Sequence, residues 1–102
     1  MMKVKIAKTF DINPGGIKAF EHNGAPVAIC RIDGNFYAFE DICTHMEYPL
    51  SIGILNGEEL TCLAHGARFN VRTGSVISMP AAAPLKKFNT IVEGDDIFVD
   101  LD

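Results

Sequence analysis

The sequence lacks both a long apolar run and a run of basic residues. A membrane-spanning helix needs about 18 or more consecutive apolar residues, so none is expected. A net charge of −4 without a basic cluster disfavours binding to nucleic acid. The N-terminal residues also lack the apolar core and small-residue cleavage site of a signal peptide. These absences predict a cytoplasmic protein that is not anchored to a membrane.

Helical patterns are nearly absent as well. Short runs rich in Val, Ile, Phe and Thr alternate with turn dipeptides such as Asn23-Gly24, Asp33-Gly34 and Asn56-Gly57. Short strands separated by such turns are typical of antiparallel sandwiches and barrels, so an all-β fold is expected. The length predicts a single domain over residues 1–102. The predicted strands lie near residues 3–9, 17–22, 26–32, 35–40, 58–62, 68–71, 75–78, 86–92 and 96–101.

Two short pairs of metal-binding residues are present, Cys43-Thr44-His45 and Cys62-Leu63-Ala64-His65. Each pair offers one thiolate and one imidazole. The Asn56-Gly57 turn lies between them, so a hairpin there would bring the two loops side by side. Two Cys and two His suit either zinc or an iron–sulfur centre. Zinc fingers more often separate the Cys pair from the His pair, so the mixed order favours iron–sulfur, with a zinc-stapled interaction module as the alternative.

The residues around the second pair resemble the Rieske [2Fe–2S] family. The run 62–70 is similar to the second cluster loop of that family, which reads C-P-x-H-G-x-x-F-D. Residues 80–85 resemble the proline-containing loop that covers the cluster, and residues 91–99 resemble the closing hairpin. The sequence departs from the family at Met46, where Gly is common, and at Leu63, where Pro is common. Neither position is a ligand.

The resemblance implies an all-β Rieske sandwich or barrel with a two-loop cluster-binding part at about residues 41–84. It implies one [2Fe–2S] cluster per chain. Cys43 and Cys62 would bind one iron, and His45 and His65 would bind the other. Solvent-facing histidine edges would be the exit for the electron, surrounded by an apolar docking rim. The candidates for this rim are Met46, Tyr48, Leu63 and Pro80.

Tyr48 has a second interpretation, in which it packs against the base of its loop instead of meeting a partner. Aromatic residues in loops serve either purpose.

The kind of Rieske protein most similar to this sequence is the small soluble ferredoxin of ring-hydroxylating oxygenase systems. The resemblance implies a monomeric one-electron carrier between a flavin-dependent reductase and a terminal oxygenase, with no substrate turnover of its own. The sequence contains no nucleotide loop, flavin motif or mononuclear iron triad. The alternative function is a small Rieske-like subunit of a larger reductase, such as nitrite reductase.

The ligand loops also imply a reduction potential. High-potential Rieske proteins carry a disulfide between the loops and Ser and Tyr hydroxyls beside the second loop. The matching positions here hold Tyr48 and Ala64 for the disulfide, and Ala67 and Phe69 for the hydroxyls. Because hydrogen bonds to the sulfurs tune the potential, their absence predicts a value of about −150 to 0 mV, the low end of the Rieske range.

Cys30 is the one cysteine outside the two pairs. It lies in an apolar, strand-like run and is expected to act as a small buried hydrophobic residue. A chain with thiols outside disulfides also fits a reducing compartment.

Overall fold

The computed structural model describes residues 3–43, 48–63, 66–78 and 83–101. These residues form ten strands and two short 3₁₀ turns, Thr9–Asp11 and Leu50–Ile52. The strands are β1 (Lys3–Lys8), β2 (Ile17–His22), β3 (Ala25–Ile32), β4 (Asn35–Glu40), β5 (Ile54–Asn56), β6 (Glu59–Thr61), β7 (Arg68–Asn70), β8 (Val76–Ser78), β9 (Lys87–Glu93) and β10 (Asp96–Asp100). Within the described ranges, no helix has the length and apolar character needed to cross a membrane.

The strands form two antiparallel sheets. The larger sheet has the order β1-β10-β9-β4-β3-β2, and its edge strands β1 and β2 also contact each other, so it is nearly closed. The smaller sheet has the order β5-β6-β7-β8. The turns Asn23-Gly24 and Asp33-Gly34 connect β2 to β3 and β3 to β4, and all four residues have positive φ. Positive φ at both central residues is the requirement of a type I′ hairpin turn, which matches the twist of paired strands.

Strand β3 is buried on both faces. Val27 and Ile29 pack into a core cluster inside the larger sheet, whereas Ala28 and Cys30 pack into a second cluster on the opposite face. Because side chains alternate along a strand, a strand covered on both faces reads as an almost continuous apolar run. The sequence of β3, with residues 27–30 completely buried, has this character.

The smaller sheet covers the second face of β3 and β4. Leu60 of β6 and Phe69 of β7 join the same cluster as Phe39 of β4, and all three side chains are completely buried. Cys43 and Cys62 belong to this cluster too. The cysteines of the two predicted metal-binding pairs are therefore held where the smaller sheet packs on the larger one.

The predicted all-β architecture is confirmed, and each of the nine predicted strands is present within a few residues of its expected bounds. Strand β5 was not predicted, because three residues between Gly53 and Gly57 are too few to show an alternating pattern. The hairpin expected at Asn56-Gly57 is present but lies one residue later. Asn56 pairs with Glu59, and Gly57 and Glu58 form the turn.

Candidate metal centre

The second ligand loop is the connection of a paired hairpin. Thr61 at the end of β6 pairs with Arg68 at the start of β7. Between them, the backbone N–H of Cys62 donates to the carbonyl oxygen of Ala67 at 2.8 Å, and the N–H of Gly66 donates to the carbonyl of Cys62 at 3.0 Å. Gly66 has a φ of 77°, a left-handed conformation that favours glycine. The β6–β7 pairing thus anchors both ends of a short closed loop.

The first ligand loop closes in the same way. It follows β4, and the backbone N–H of Cys43 donates to the carbonyl oxygen of Tyr48 at 2.9 Å. In both loops the acceptor is the fifth residue after the cysteine. His45 and His65 fall inside these loops by sequence but lie outside the described residues.

The two cysteines share one apolar environment. Cys43 is 2% exposed and Cys62 is 0% exposed, and both pack in a cluster with Leu50, Leu60 and Phe69. Neither forms a disulfide. Two buried thiols at the starts of two matched loops fit the thiolate half of a [2Fe–2S] ligand set. In the described part of the chain, no three His, Cys, Asp or Glu residues gather as a metal site, and both histidines of the motif lie outside that part.

The third cysteine plays no part in these loops. Cys30 is completely buried in β3, as expected. Burial raises the pKa of the Cys30 thiol to about 12, although the nearby Lys87 ammonium acts in the opposite direction. The structure places Cys30 in a strand and not in either loop, although it belongs to the same core cluster as Cys43 and Cys62.

An exposed aliphatic face flanks the second loop, formed by Ile52, Ile54 and Leu63. Their exposed fractions are 53%, 59% and 49%. Ile54 pairs with Thr61, which directly precedes Cys62. Only Leu63 was predicted from the sequence, because no strand was predicted around Ile52 and Ile54. Ile54 lies in β5, the edge strand of the smaller sheet, and Ile52 lies in the 3₁₀ turn before it.

Tyr48 lies at the base of the first loop. Its side chain is partly buried and packs against the core cluster that contains the cysteines. Together with Pro49 and Asp41 it also lines an open cavity of about 370 Å³. Packing at the loop base is therefore the contact that the structure shows for Tyr48. Met46 and Pro80, the other predicted docking residues besides Leu63, lie outside the described residues.

Comparison with known proteins agrees with this geometry. The family described as the Rieske [2Fe-2S] domain matches residues 2–89, most of the chain. The chain belongs to the Rieske [2Fe–2S] domain family. The resemblance seen in the ligand loops is thereby confirmed.

Similar Rieske proteins match over nearly their whole length. The ferredoxin component of biphenyl 2,3-dioxygenase from Rhodococcus jostii is 39% identical over 102 residues, which cover 100% of this chain and 95% of that protein. A solved complex of reduced oxygenase and oxidized ferredoxin in carbazole 1,9a-dioxygenase contains a chain that is 39% identical with a TM-score of 0.89, over 95% of this chain and 91% of that chain. The ferredoxin of carbazole 1,9a-dioxygenase from Nocardioides aromaticivorans is 32% identical with a TM-score of 0.89, over 97% of both chains.

The family and these relatives establish the role of the domain. The Rieske domain carries one [2Fe–2S] cluster, which takes up and releases a single electron when bound. The chain is an electron carrier, as expected, and not an enzyme with its own substrate turnover. The apolar cluster around Cys43 and Cys62 excludes water from the thiol side of the site.

Proposed function

We propose that this Rieske protein is the ferredoxin of a ring-hydroxylating dioxygenase system. It takes one electron from a flavin-dependent reductase and delivers it to a terminal oxygenase. The observation that carries the proposal is the full-length similarity to ferredoxin components of such systems. A similar ferredoxin, with a TM-score of 0.89, has been solved in a complex with its oxygenase.

The proposed ligands are Cys43 and Cys62 for one iron and His45 and His65 for the other. The matched closure of the two loops supports this assignment, since each loop then presents one thiolate at its start and one imidazole inside it. The burial of both cysteines in one cluster supports their binding to a common iron. Neutral imidazole in place of thiolate makes the cluster less negative, which raises its potential above that of all-cysteine ferredoxins.

The proposed docking surface for both partners combines the aliphatic face with the loop tips. Leu63 lies directly after Cys62, so a partner seated on this face would be next to the second ligand loop. Exposed apolar residues grouped at one place are typical of protein-binding surfaces. The predicted residues Met46 and Pro80 are proposed to complete this surface, whereas Tyr48 packs at the base of the first loop.

We further propose that the protein is a monomer with a single domain over residues 1–102. Its proposed location is the cytoplasm. Gel filtration of the purified protein tests the oligomeric state, and fractionation of the source cells tests the location. An obligate complex with a larger reductase would instead support the alternative of a small reductase subunit.

The first experiment is spectroscopic. The protein is purified without oxygen, and its absorption and low-temperature EPR spectra are recorded before and after dithionite. A red-brown protein that gains a rhombic EPR signal, with an average g below the free-electron value, would support the proposed ligand set. A colourless protein containing zinc would contradict it and support the zinc-stapled module.

The second experiment measures electron delivery. The reduced protein is mixed with the terminal oxygenase of a biphenyl or carbazole dioxygenase system in a stopped-flow instrument, and reoxidation of the ferredoxin is followed by absorbance. Rapid reoxidation that saturates with oxygenase concentration is expected. Reoxidation no faster than in buffer alone, with both oxygenases, would contradict the proposed acceptor class.

A further inference from the structure

Asp41 is the one buried charged residue in the described part of the chain, with 7% of its surface exposed. Both of its carboxylate oxygens accept hydrogen bonds from Ser51. One oxygen accepts from the backbone N–H at 2.7 Å, and the other accepts from the hydroxyl at 2.6 Å. A buried carboxylate is costly unless it is hydrogen-bonded in this way, so the pair is expected to persist in the folded protein.

The bond between Asp41 and Ser51 encloses the first ligand loop. Asp41 lies two residues before Cys43, and Ser51 lies three residues after Tyr48. The backbone N–H of Asp41 also donates to the carbonyl oxygen of Pro26 at 3.1 Å, which ties this point to β3. The loop is therefore closed twice, by the bond from Cys43 to Tyr48 and, outside it, by the side-chain bond to Ser51.

The turn that this bond holds also contacts the residue before the second ligand loop. Ser51 is the middle residue of the 3₁₀ turn Leu50–Ile52, and the N–H of the following Gly53 donates to the carbonyl oxygen of Leu50 at 2.9 Å. A Cβ atom on Gly53 would be 2.3 Å from the carbonyl oxygen of Thr61, so the backbone at Gly53 lies directly against the residue that precedes Cys62. The Asp41–Ser51 bond thus holds a turn that is in contact with both loops.

We propose that Asp41 and Ser51 are positioning residues of the cluster site, which hold the 3₁₀ turn and thereby set the distance between the two ligand loops. This inference rests on the proposed ligands Cys43 and Cys62. The pair is separate from the four proposed ligands. Its effect on the cluster passes through the backbone of residues 50–53.

Four substitutions separate hydrogen bonding from charge. Asp41→Ala removes both bonds, and Ser51→Ala removes only the bond from the hydroxyl. Asp41→Asn removes the charge but keeps an oxygen for the Ser51 N–H and an amide that can donate to the hydroxyl. Ser51→Thr keeps the hydroxyl. The matched control is Asp11→Ala, which removes an exposed carboxylate that accepts the Lys8 N–H at 2.9 Å in the turn after β1.

The experiment follows the holoprotein and these variants in the presence of EDTA and air. The rate of cluster loss is measured by absorbance, and the EPR spectrum of each dithionite-reduced protein is recorded. Outer-shell partners of metal sites typically contribute about 10–100-fold to metal retention. We expect Asp41→Ala to lose its cluster about tenfold faster than wild type and to show a broadened EPR signal. Ser51→Ala should lose its cluster at a rate between those of Asp41→Ala and wild type. The variants Asp41→Asn, Ser51→Thr and Asp11→Ala should resemble wild type.

Two results would overturn the inference. One is an Asp41→Ala protein whose cluster loss and EPR spectrum match those of wild type. If Asp41→Ala does not fold, equal rates of cluster loss for Ser51→Ala and Ser51→Thr would overturn it instead. A wild-type protein without any iron–sulfur absorbance is a different outcome, because it would contradict the proposed function itself.

Discussion

Gly53 lies against Thr61 so closely that a Cβ atom on Gly53 would be 2.3 Å from the Thr61 carbonyl oxygen. The φ of Gly53 is −74°, a value open to any residue, so the need for glycine here is steric. After the first ligand loop the chain passes through the 3₁₀ turn Leu50–Ile52 to Gly53. The second loop begins directly after Thr61. The contact is therefore the point where the backbones that carry the two loops meet.

Gly53→Ala is expected to destabilise the protein by about 1–3 kcal/mol, the usual cost of overpacking, because the contact is with backbone that cannot rotate away. Thermal unfolding and iron content of the purified protein measure the effect. The control is Gly94→Asn, since Gly94 has a φ of 61°, which Asn tolerates, and nothing within 4 Å of its Cβ position. A Gly53→Ala protein that is as stable and contains as much iron as the control would contradict this prediction. It would show that the backbone at Thr61 shifts to accommodate the added methyl group without loss of stability.

Leu63→Ser is expected to slow electron transfer to the terminal oxygenase. Truncation of an interface residue that carries binding energy costs more than about 1 kcal/mol, which corresponds to a reduction of at least about fivefold in the rate at limiting oxygenase concentration. Ile54→Ser should act in the same direction. The measurement is the stopped-flow reoxidation that tests the proposed function.

The matched control for the docking surface is Val92→Ser. Val92 is 46% exposed against 49% for Leu63, but it lies in β9 near the turn at Gly94. Equal slowing by Leu63→Ser and Val92→Ser would show that the aliphatic face has no particular role in docking.

The reduction potential is expected at the low end of the Rieske range, about −150 to 0 mV. Ala67 and Phe69 are both completely buried beside the second loop and provide no hydroxyl donor. Ala67→Ser is therefore expected to raise the potential, because an added hydroxyl can donate to a cluster sulfur, whereas Ala67→Gly should leave it nearly unchanged. Protein-film voltammetry measures all three proteins, and a wild-type potential above about +200 mV would contradict this account.

The stability of the folded protein is expected to fall at alkaline pH partly because of Cys30. Burial raises the pKa of this thiol from 9.0 to about 12, so between these values the folded state holds a proton that the unfolded state has lost. The unfolded state then binds fewer protons, and the free energy of unfolding decreases as the pH rises. The contribution is fully present below pH 9 and is lost as the pH approaches 12.

The Cys30→Ala variant tests this pH dependence. At neutral pH it should be about 1–2 kcal/mol less stable than wild type, because it leaves a small cavity in a completely buried position. The difference in unfolding free energy between the two proteins should shrink above pH 9, since the variant lacks the thiol. Urea titrations at several pH values measure it, and a constant difference from pH 7 to 11 would show that Cys30 does not titrate in this way.

Local patterns in the sequence predicted most of the fold. The alternation of residues and the turn dipeptides located nine strands, and Asn23-Gly24 and Asp33-Gly34 form the expected hairpin turns. Strand β5 escaped prediction because its three residues are paired by tertiary context rather than by a periodic pattern. The 3₁₀ turn Leu50–Ile52 escaped for the same reason, since its position depends on Asp41 and on the neighbouring β6.

The candidate site, like the fold, was predicted only in part from the sequence. Thiolate and imidazole side chains at short spacing predicted the metal chemistry and the family, because donor type and spacing are local properties of the chain. The sequence did not reveal Asp41, since a carboxylate at the end of a strand is ordinarily solvated. Ile52 and Ile54 were missed because the sequence predicted neither the 3₁₀ turn nor β5, and therefore no exposed face there.

The sequence by itself determined the all-β class and the hairpin turns and predicted the donor set, because these depend on residue types within a few positions of each other. Only the tertiary structure decided that β3 is covered on both faces, that Cys43 and Cys62 share one apolar cluster, and that Asp41 is buried against Ser51. The physical reason is that burial and hydrogen bonding depend on segments distant in the chain. The packing of the smaller sheet on the larger one brings those segments together.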